Sequence, residues 1–562
     1  MKNRTLYFGD NLEILQKKIP DESFDLIYLD PPFNSNRNYN VLFKEGLQDS
    51  PSQVQAFEDS WHWNRDSKII FDYLVTKTNG DISNLMLALE KMVGHNDLLA
   101  YLSMMAVRLI ELHRVLKKTG SLYLHCDPTA SHYLKIVLDV IFGKNNFRNE
   151  IVWKKTNSPK SQTKAFGSQH DIIFFYSKSD NFKCDKVFAP IDDEYAAAFR
   201  YDDDDGKGPY QTVALVAGGM QKYEGRKEFE FQGVKAQWLY TKENLDEMYE
   251  QNLLYKTSGG MFRKKVYLKD IEGKGVSDIW ADEGVSPLQG ASKESLGYAT
   301  QKPVALLERI IQASSKENDW VLDPFCGCGT TVAAAEKLKR NWVGIDITTL
   351  AISLIKRRLK DHFDLGSKQI YVDGLPSDLS GARELFKKNP FEFEYWVLDM
   401  INATPAQSKS KENMRGADKG IDGIITFIKD YYSNGNGKKK NGNGDYGYGK
   451  AIVQVKGGSV QRNQIATLKG DVEREKAEAG IFITLEEPTK PMIQEAIDVD
   501  SFTTLITGKL EFPKIQILTI AELLKGKLPY LPQGLVKDYN KKAQPIEVKN
   551  KEFWHNNMAV LF

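Results

Sequence analysis

The sequence predicts an α/β chain of more than one domain, and three observations carry that reading. A strand-like apolar run, Phe24 to Leu29, breaks at Asp30-Pro31-Pro32-Phe33. A second run, Trp320 to Asp323, enters a glycine turn at Gly327 and Gly329, with a helix behind it and a further strand ending at Asp346. A third alternation of helix and strand restarts at Phe391 after a shift in composition. Strands that deliver polar residues to proline or glycine turns, with amphipathic helices between them, form parallel sheets wrapped by helices. At 562 residues the chain suggests about three domains.

Taken in order, Leu6-Tyr7-Phe8 reads as a strand ending at Gly9-Asp10, and Leu12, Ile14, Leu15 and Ile19 recur at helical spacing up to Pro20. Asp10 caps that helix or faces a ligand. The Phe24–Leu29 run has the composition of a central strand, and two prolines cannot continue a hydrogen-bonded ladder. Asp30 is therefore a carboxylate at a strand end, where open α/β sheets hold ligands. Beside it stand the Pro31 carbonyl, a turn stiffened by Pro32, and the ring of Phe33. Two acceptors and a stacking face suit a flat heterocycle bearing an amino group. Residues 34–94 read as loop-rich and polar. Asp97 to Lys117 is an amphipathic helix closed by Gly120, followed by a strand to Asp127, a helix from Thr129 to Phe142, and strands at Asn149–Lys155 and His170–Lys178. His125, Cys126 and His132 read as a strand end and helix start rather than metal ligands.

Residues 180–295 lose periodicity and mix acids (Asp202 to Asp205), bases (Arg226, Lys227, Arg263, Lys264, Lys265) and aromatics. They read as an insertion. In the stretch from Asp323 through Phe325, Gly327 and Gly329, the glycines permit tight turning and close ligand approach, and Asp346 follows about 20 residues later, suited to ribose hydroxyls. A dinucleotide site wants a third glycine, and position 332 is valine.

Composition bounds the rest. An apolar fraction of 41%, a charged fraction of 27% and no long apolar stretch are those of a globular protein without membrane spans, and the N-terminus lacks a signal-peptide core. Four cysteines without a Cys-x-x-Cys pair fit a reducing compartment, and the expected location is cytoplasmic. A net charge of +1 carries no global nucleic-acid signature.

The Asp30–Phe33 motif, the wording from Leu124 to Lys135 and from Asn149 to Lys155, and the Asp323–Gly329 loop with Thr300-Gln301-Lys302-Pro303 before it resemble the permuted β group of DNA amino-methyltransferases across about residues 1–376. The resemblance implies a Rossmann-like fold that binds S-adenosylmethionine and methylates the exocyclic amine of a flipped base in double-stranded DNA. Asp30, Pro31, Pro32 and Phe33 would be catalytic. Asp10, Thr300, Lys302, Asp323, Phe325, Gly327, Gly329 and Asp346 would bind the cofactor. Residues 1–179 would be the catalytic part, 180–295 the target-recognition region and 296–376 the cofactor part. Asp rather than Ser at position 30 favours adenine N6, with cytosine N4 as the alternative. No cysteine follows a proline, which excludes the cytosine-C5 class. A non-catalytic DNA-binding regulator would not need both motifs.

Asp422 before one strand, and Gln454 and Lys456 on the next, could bring a metal ligand and a lysine to one sheet end. With the strand Gly480–Thr484, this resembles Mrr-like restriction endonucleases of the PD-(D/E)xK fold, over residues 386–530 and followed by a tail, 531–562. Mg²⁺ is the implied ion, with Asp422 its ligand. Gln454 stands where most of that superfamily has an acid, and Glu394 could compensate. A restriction–modification or defence role follows, with room for a homodimer or a restriction-system partner.

Overall fold

The structure, a computed structural model, describes residues 1–32, 37–45, 48–59, 62–157, 166–216, 228–288, 292, 294–296, 298, 300–366, 368–406, 420–432, 445–504 and 510–532. It has two compact units, Met1–Asp185 with Val285–Phe562, and Lys186–Gly284.

The first unit opens with β1 (Thr5–Phe8), α1 (Asn11–Lys18) and β2 (Phe24–Leu29). All six residues of β2 are buried, Asp25 included. That acid is tolerated because Lys117 Nζ donates to it at 2.6 Å and the Trp320 N–H at 2.9 Å. The region expected to be loop-rich is instead ordered: a hairpin of β3 (Arg37–Glu45) and β4 (Gln48–Asp59), then α2 (Arg65–Lys77) and α3 (Gly80–Val93). Its polar composition hid narrow apolar stripes. Phe71 and Leu74 on α2, and Ile82, Met86 and Leu89 on α3, join one core with α4 (Asp97–Val115). Asn64, Asn79 and Asn96 cap the three helices in turn.

Next come β5 (Leu116–Cys126), α5 (Pro128–Leu138), β6 (Phe147–Lys154) and β7 (His170–Ser177). Beyond the second unit the chain continues through α6 (Val304–Ser314), β8 (Trp320–Asp323), α7 (Thr330–Lys337), β9 (Asn341–Asp346), α8 (Thr349–Phe363) and β10 (Tyr371–Asp373). Within this unit the strands run β6-β7-β5-β2-β8-β9-β1-β10. From β5 to β10 every neighbour is parallel, and β7 is antiparallel to β5 and β6. The C-terminal ends of β2, β8, β9 and β1 are therefore adjacent. They set Asp30, Asp323, Asp346 and Asp10 along one edge of the sheet.

The same unit continues into α9 (Leu379–Lys388), α10 (Pro390–Met400), β11 (Gly423–Tyr432), β12 (Asp445–Lys456), α11 (Arg462–Arg474), β13 (Ala479–Thr484), α12 (Lys490–Ile497) and β14 (Ile515–Thr519). A short strand, Thr404–Pro405, leads a five-stranded sheet that continues β11-β12-β13-β14. β11 and β12 are antiparallel, and the later pairs are parallel. β12 begins at Asp445, and residues 433–444 lie outside the described residues. Val453 and Val455 pack with α10 on one face of the sheet, while Ile452 packs with Ile465 and Leu468 of α11 on the other. No packing boundary falls between 376 and 386. Tyr298, Cys328, Leu350 and Leu354 share one apolar cluster with Phe393, Trp396 and Val397 of α10.

The second unit has its own small core of Leu215, Phe231, Trp238, Leu245, Leu254 and Phe262. Strands Tyr210–Ala214, Phe262–Tyr267 and Leu254–Lys256 pair antiparallel beside the helix Lys242–Glu250. Several of its aromatic and basic residues are structural: Trp238, Tyr210 and Tyr267 are buried, and Lys265 donates to Asp203 at 2.5 Å. Tyr223, Arg226 and Lys227 lie outside the described residues. Among the described residues no helix is long and apolar enough to cross a membrane.

Candidate active site

Asp30 leaves β2 where Pro31 and Pro32 end the ladder. Its Oδ2 is ion-paired with Lys302 Nζ, and its Oδ1 is buried with no hydrogen-bond partner among the described residues. An unsatisfied buried carboxylate oxygen costs free energy, so its natural complement is a donor brought in by a ligand. Pro31 is buried and Pro32 half-buried, while Phe33 lies outside the described residues. Thr300 and Phe325 are both half-buried.

Behind Asp30 runs a buried chain that sequence reading did not single out. The hydroxyl of Tyr28, on the same face of β2, lies at hydrogen-bond distance from His125 Nδ1, 2.9 Å. The His125 Nε2–H then faces Asp171 Oδ2 at 3.3 Å, and Lys155 Nζ donates to Asp171 Oδ1 at 2.7 Å. Burial, with Asp30, Asp323 and Asp171 nearby, keeps the Tyr28 phenol protonated. Burial alone would raise Asp171, but His125 and Lys155 hold it down at about 2. The signal was present, since His125 and Asp171 alternate inward on β5 and β7, but their pairing depends on antiparallel register.

The neighbouring strand ends carry the second half of the site. Asp323 Oδ1 accepts from the Phe325 N–H at 3.0 Å and Oδ2 from the Thr331 hydroxyl at 2.5 Å. Burial, with Asp30 and Asp346 close by, pushes its carboxyl up to about 7 against those bonds. Asp346 Oδ2 accepts from the Gly327 N–H at 2.8 Å, and Oδ1 from the Thr348 N–H and hydroxyl at 2.9 and 2.8 Å. Gly327 and Gly329 both have positive φ, +48° and +75°. Sequence reading credited the glycines with close ligand approach, and the structure gives another reason. A Cβ on Gly329 would stand 2.6 Å from Ile355 of α8, so that glycine serves helix packing and a left-handed cap. Tyr298, buried, packs its ring 3.4 Å from the Cβ position of Gly327. Asp10 both caps α1 and accepts from Arg108 Nη2 at 2.7 Å, so both its oxygens hold protein donors. Arg108 also holds Asn11, whose amide reaches the Pro324 carbonyl at 2.8 Å.

This edge fits S-adenosylmethionine. Asp323 is a buried carboxylate with Asp346 at a neighbouring strand end and Asp30 close by, and those two each raise the Asp323 carboxyl, so a cation complements the negative charge concentrated there.

In the C-terminal domain Asp422 is buried, and its Oδ2 accepts from the Val455 N–H at 2.7 Å, which brings its carboxylate beside β12 between Gln454 and Lys456. Gln454 shares the α11 face with Ile452, by strand alternation. Its Oε1 is buried without a hydrogen-bond partner among the described residues. Glu394 is half-buried on α10, in the helical layer on the other face. On the Gln454 side the structure supplies a different acid, Asp471 of α11. A Cβ on Gly420 would lie 3.5 Å from Asp471 Oδ2 and 3.7 Å from Gln454 Nε2, so both side chains flank one point. Asp471 Oδ1 is bonded to Arg474, while Oδ2 is buried and unbonded among the described residues. Among the described residues no group of three His, Cys, Asp or Glu side chains is arranged to hold a metal. Mg²⁺ keeps several waters and needs only one or two protein carboxylates, so the oxygen donors that Asp422, Gln454 and Asp471 offer suit it in kind. Residues 407–419, ahead of Asp422, lie outside the described residues.

Comparison with known proteins follows the same division. The DNA methylase family matches residues 24–357, more than half of the chain, and a restriction endonuclease family matches residues 386–510. The type II methyltransferase M.EcaI of Enterobacter cloacae is 33% identical over 266 residues, covering 46% of this chain and 57% of that protein. The type II methyltransferase M.BamHI of Bacillus amyloliquefaciens is 26% identical over 399 residues, covering 70% and 65%. The Mod subunit of the type III restriction-modification enzyme StyLTI of Salmonella typhimurium is 25% identical over 350 residues, covering 59% and 49%. The chain thus spans from about half to just under two thirds of the length of these relatives. A solved Thermus thermophilus protein complexed with S-adenosyl-L-methionine is 16% identical, with a TM-score of 0.29, covering 64% of this chain and 95% of that one, and carries no weight here. The chain belongs to the DNA methylase family, with a restriction-endonuclease domain joined to its C-terminal side.

Proposed function

We propose that the chain transfers a methyl group from S-adenosylmethionine to the N6 amine of an adenine flipped out of double-stranded DNA, and that its C-terminal domain cleaves DNA with Mg²⁺ in a restriction–modification or defence system. The observation that carries the reading is the unbonded, buried Oδ1 of Asp30 beside a row of strand-end carboxylates.

When bound, S-adenosylmethionine supplies an electrophilic methyl on a positively charged sulfur. The protein's part is positioning. Asp30 Oδ1 and the Pro31 carbonyl accept the two hydrogens of the amine, turning the nitrogen lone pair out of the ring plane. The stacking role on the base is the one the motif resemblance would give Phe33. The Lys302 ammonium holds Asp30 Oδ2, fixing which oxygen faces the amine. Tyr28, His125 and Asp171 brace the strand that delivers Asp30. Asp346 and the glycine loop hold the ribose, and the buried carboxylates balance the cofactor's positive charge. Transfer would form the nitrogen–carbon bond, break the carbon–sulfur bond to leave a neutral thioether, and free one amine proton. In the C-terminal domain Asp422 and the Gln454 side-chain oxygen would hold Mg²⁺, which supplies charge neutralisation at the scissile phosphate. Lys456 is the cation beside it.

Adenine rather than cytosine rests on Asp at position 30. Mass spectrometry of nucleosides from DNA incubated with the purified chain and S-adenosylmethionine is expected to give N6-methyladenine. A dominant N4-methylcytosine signal reverses the base assignment, and no methylated nucleoside from a panel of unmethylated DNAs overturns the activity.

A further inference from the structure

Helix α10 opens the C-terminal domain, yet its first turn reaches the cofactor edge. Glu392 is the third residue of that helix, the position from which a glutamate commonly returns to its own cap. Here the Asn389 side chain already accepts from the N–H groups of Phe391 and Glu392. Glu392 Oε2 instead accepts from both the N–H and the hydroxyl of Thr349, each at 2.8 Å.

Thr349 is the first residue of α8, so Glu392 satisfies an orphan donor at the start of another helix. The residue before it, Thr348, is the cap of α8 and donates both its N–H and its hydroxyl to Asp346 Oδ1. Asp346 Oδ2 in turn takes the Gly327 N–H. Short polar contacts, linked through the Thr348–Thr349 peptide bond, therefore join the first turn of α10 to the carboxylate assigned to the ribose and to the glycine loop beside it. Packing runs the same way: Leu350 and Leu354 of α8 share a core with Phe393, Trp396 and Val397 of α10. Close-packed helices cannot shift independently, so moving α10 moves the start of α8.

We propose that Glu392 is a positioning residue of the S-adenosylmethionine site, contributed by the C-terminal domain, and that cofactor occupancy and the docking of α10 are coupled through it. The proposal rests on the assignment of the cofactor to the Asp323–Asp346 edge. Coupling of this kind is reciprocal. If docked α10 strengthens cofactor binding, bound cofactor strengthens α10 docking by the same factor, and the endonuclease domain registers whether the methyl donor is present.

The test uses the full chain, with S-adenosylmethionine affinity from calorimetry and amide hydrogen exchange of residues 393–400 with and without the cofactor. In the wild type the cofactor is expected to slow exchange in α10. Glu392→Ala should weaken binding by about fivefold or more and remove that slowing. Glu392→Gln, which keeps an amide oxygen as acceptor, should recover most of both. A purely structural glutamate would lower the melting temperature of Glu392→Ala while leaving the cofactor-induced slowing intact, and that result overturns the proposal. So does unchanged affinity in Glu392→Ala. Should Glu392→Ala not fold, Thr349→Val removes the hydroxyl half of the contact at constant shape, and wild-type affinity there overturns the proposal equally. Wild-type affinity in Asp346→Ala would instead overturn the cofactor assignment itself, a failure distinct from that of Glu392.

Discussion

The two sheet ends differ in how completely the protein satisfies its own polar groups. At the edge formed by β2, β8, β9 and β1, Asp10, Asp323 and Asp346 each accept protein donors on both oxygens, and only Asp30 keeps a buried oxygen unbonded among the described residues. At the β11–β12 end Asp422 is bonded to backbone, while Gln454 Oε1 and Asp471 Oδ2 are both buried and unbonded among the described residues. Under the proposed function the first edge is a preorganised cradle with one opening for an amine, and the second a looser set of acceptors that a hydrated cation would complete. Preorganisation predicts that single changes at the first edge act on catalysis with the fold intact, and that the two ends fail independently.

The largest effects test that independence. Asp30→Ala should lower methyl transfer by at least about 100-fold, because the lost acceptor acts where the nitrogen reorients. Cofactor affinity from calorimetry should stay near wild type, since Asp323, Asp346 and the glycine loop keep their bonds. Unchanged turnover would sink the assignment of Asp30. Lys456→Ala should cost DNA cleavage at least about 100-fold and leave methylation intact. Cleavage must be assayed on methylated and unmethylated DNA, with Mg²⁺ and with Mn²⁺. If the wild type cuts none of them, the C-terminal domain is a binding module.

The third prediction concerns backbone shape. Gly329→Val places a β-branched residue at a φ of +75° with its Cβ 2.6 Å from Ile355 Cγ1. Left-handed geometry alone costs about 1–2 kcal/mol. The clash with α8 adds to it, so thermal unfolding should shift downward and cofactor binding weaken together. A loss of affinity with an unchanged melting temperature would restore the idea that this glycine makes room for the ligand.

What the sequence revealed tracks how local each signal is. The Asp30-Pro31-Pro32 break, the 323–329 turn and Asp346 are strand-end features written in consecutive residues, and the structure has strands ending at all three. Helix α6, Val304–Ser314, starts directly after Pro303, a residue that suits a helix start. Helices α2 and α3 were hidden because two or three buried residues each suffice when asparagine caps and a shared core do the rest. The Tyr28–His125–Asp171–Lys155 chain and the Asp471–Gln454 juxtaposition join residues far apart in sequence, and only strand order and helix placement bring them together. Glu392 is the same case: its local spacing suggests a cap for its own helix, while packing assigns it to α8.

The smallest expected effect follows from the carboxylate that burial pushes up to about 7, Asp323. In the unfolded chain an aspartate ionises near 3.9. The folded protein thus holds the extra proton between about pH 4 and pH 7, and the stabilisation from neutral Asp323 is full below that window and lost as pH rises through it. Cofactor binding should run the other way. A sulfonium and an ammonium favour the ionised carboxylate, so binding lowers its pKa, releases a proton near neutral pH and grows tighter as pH rises through about 7. A drop of one unit on binding corresponds to about a tenfold gain in affinity across the transition. Asp346 is also raised by burial, so the contribution of Asp323 has to be isolated with Asp323→Asn. Calorimetry at pH 7 in two buffers of different ionisation enthalpy should show proton release in the wild type and much less in that variant. Equal release in both would place the titrating group at Asp346, and proton uptake on binding would mean that the bound cation does not face these carboxylates.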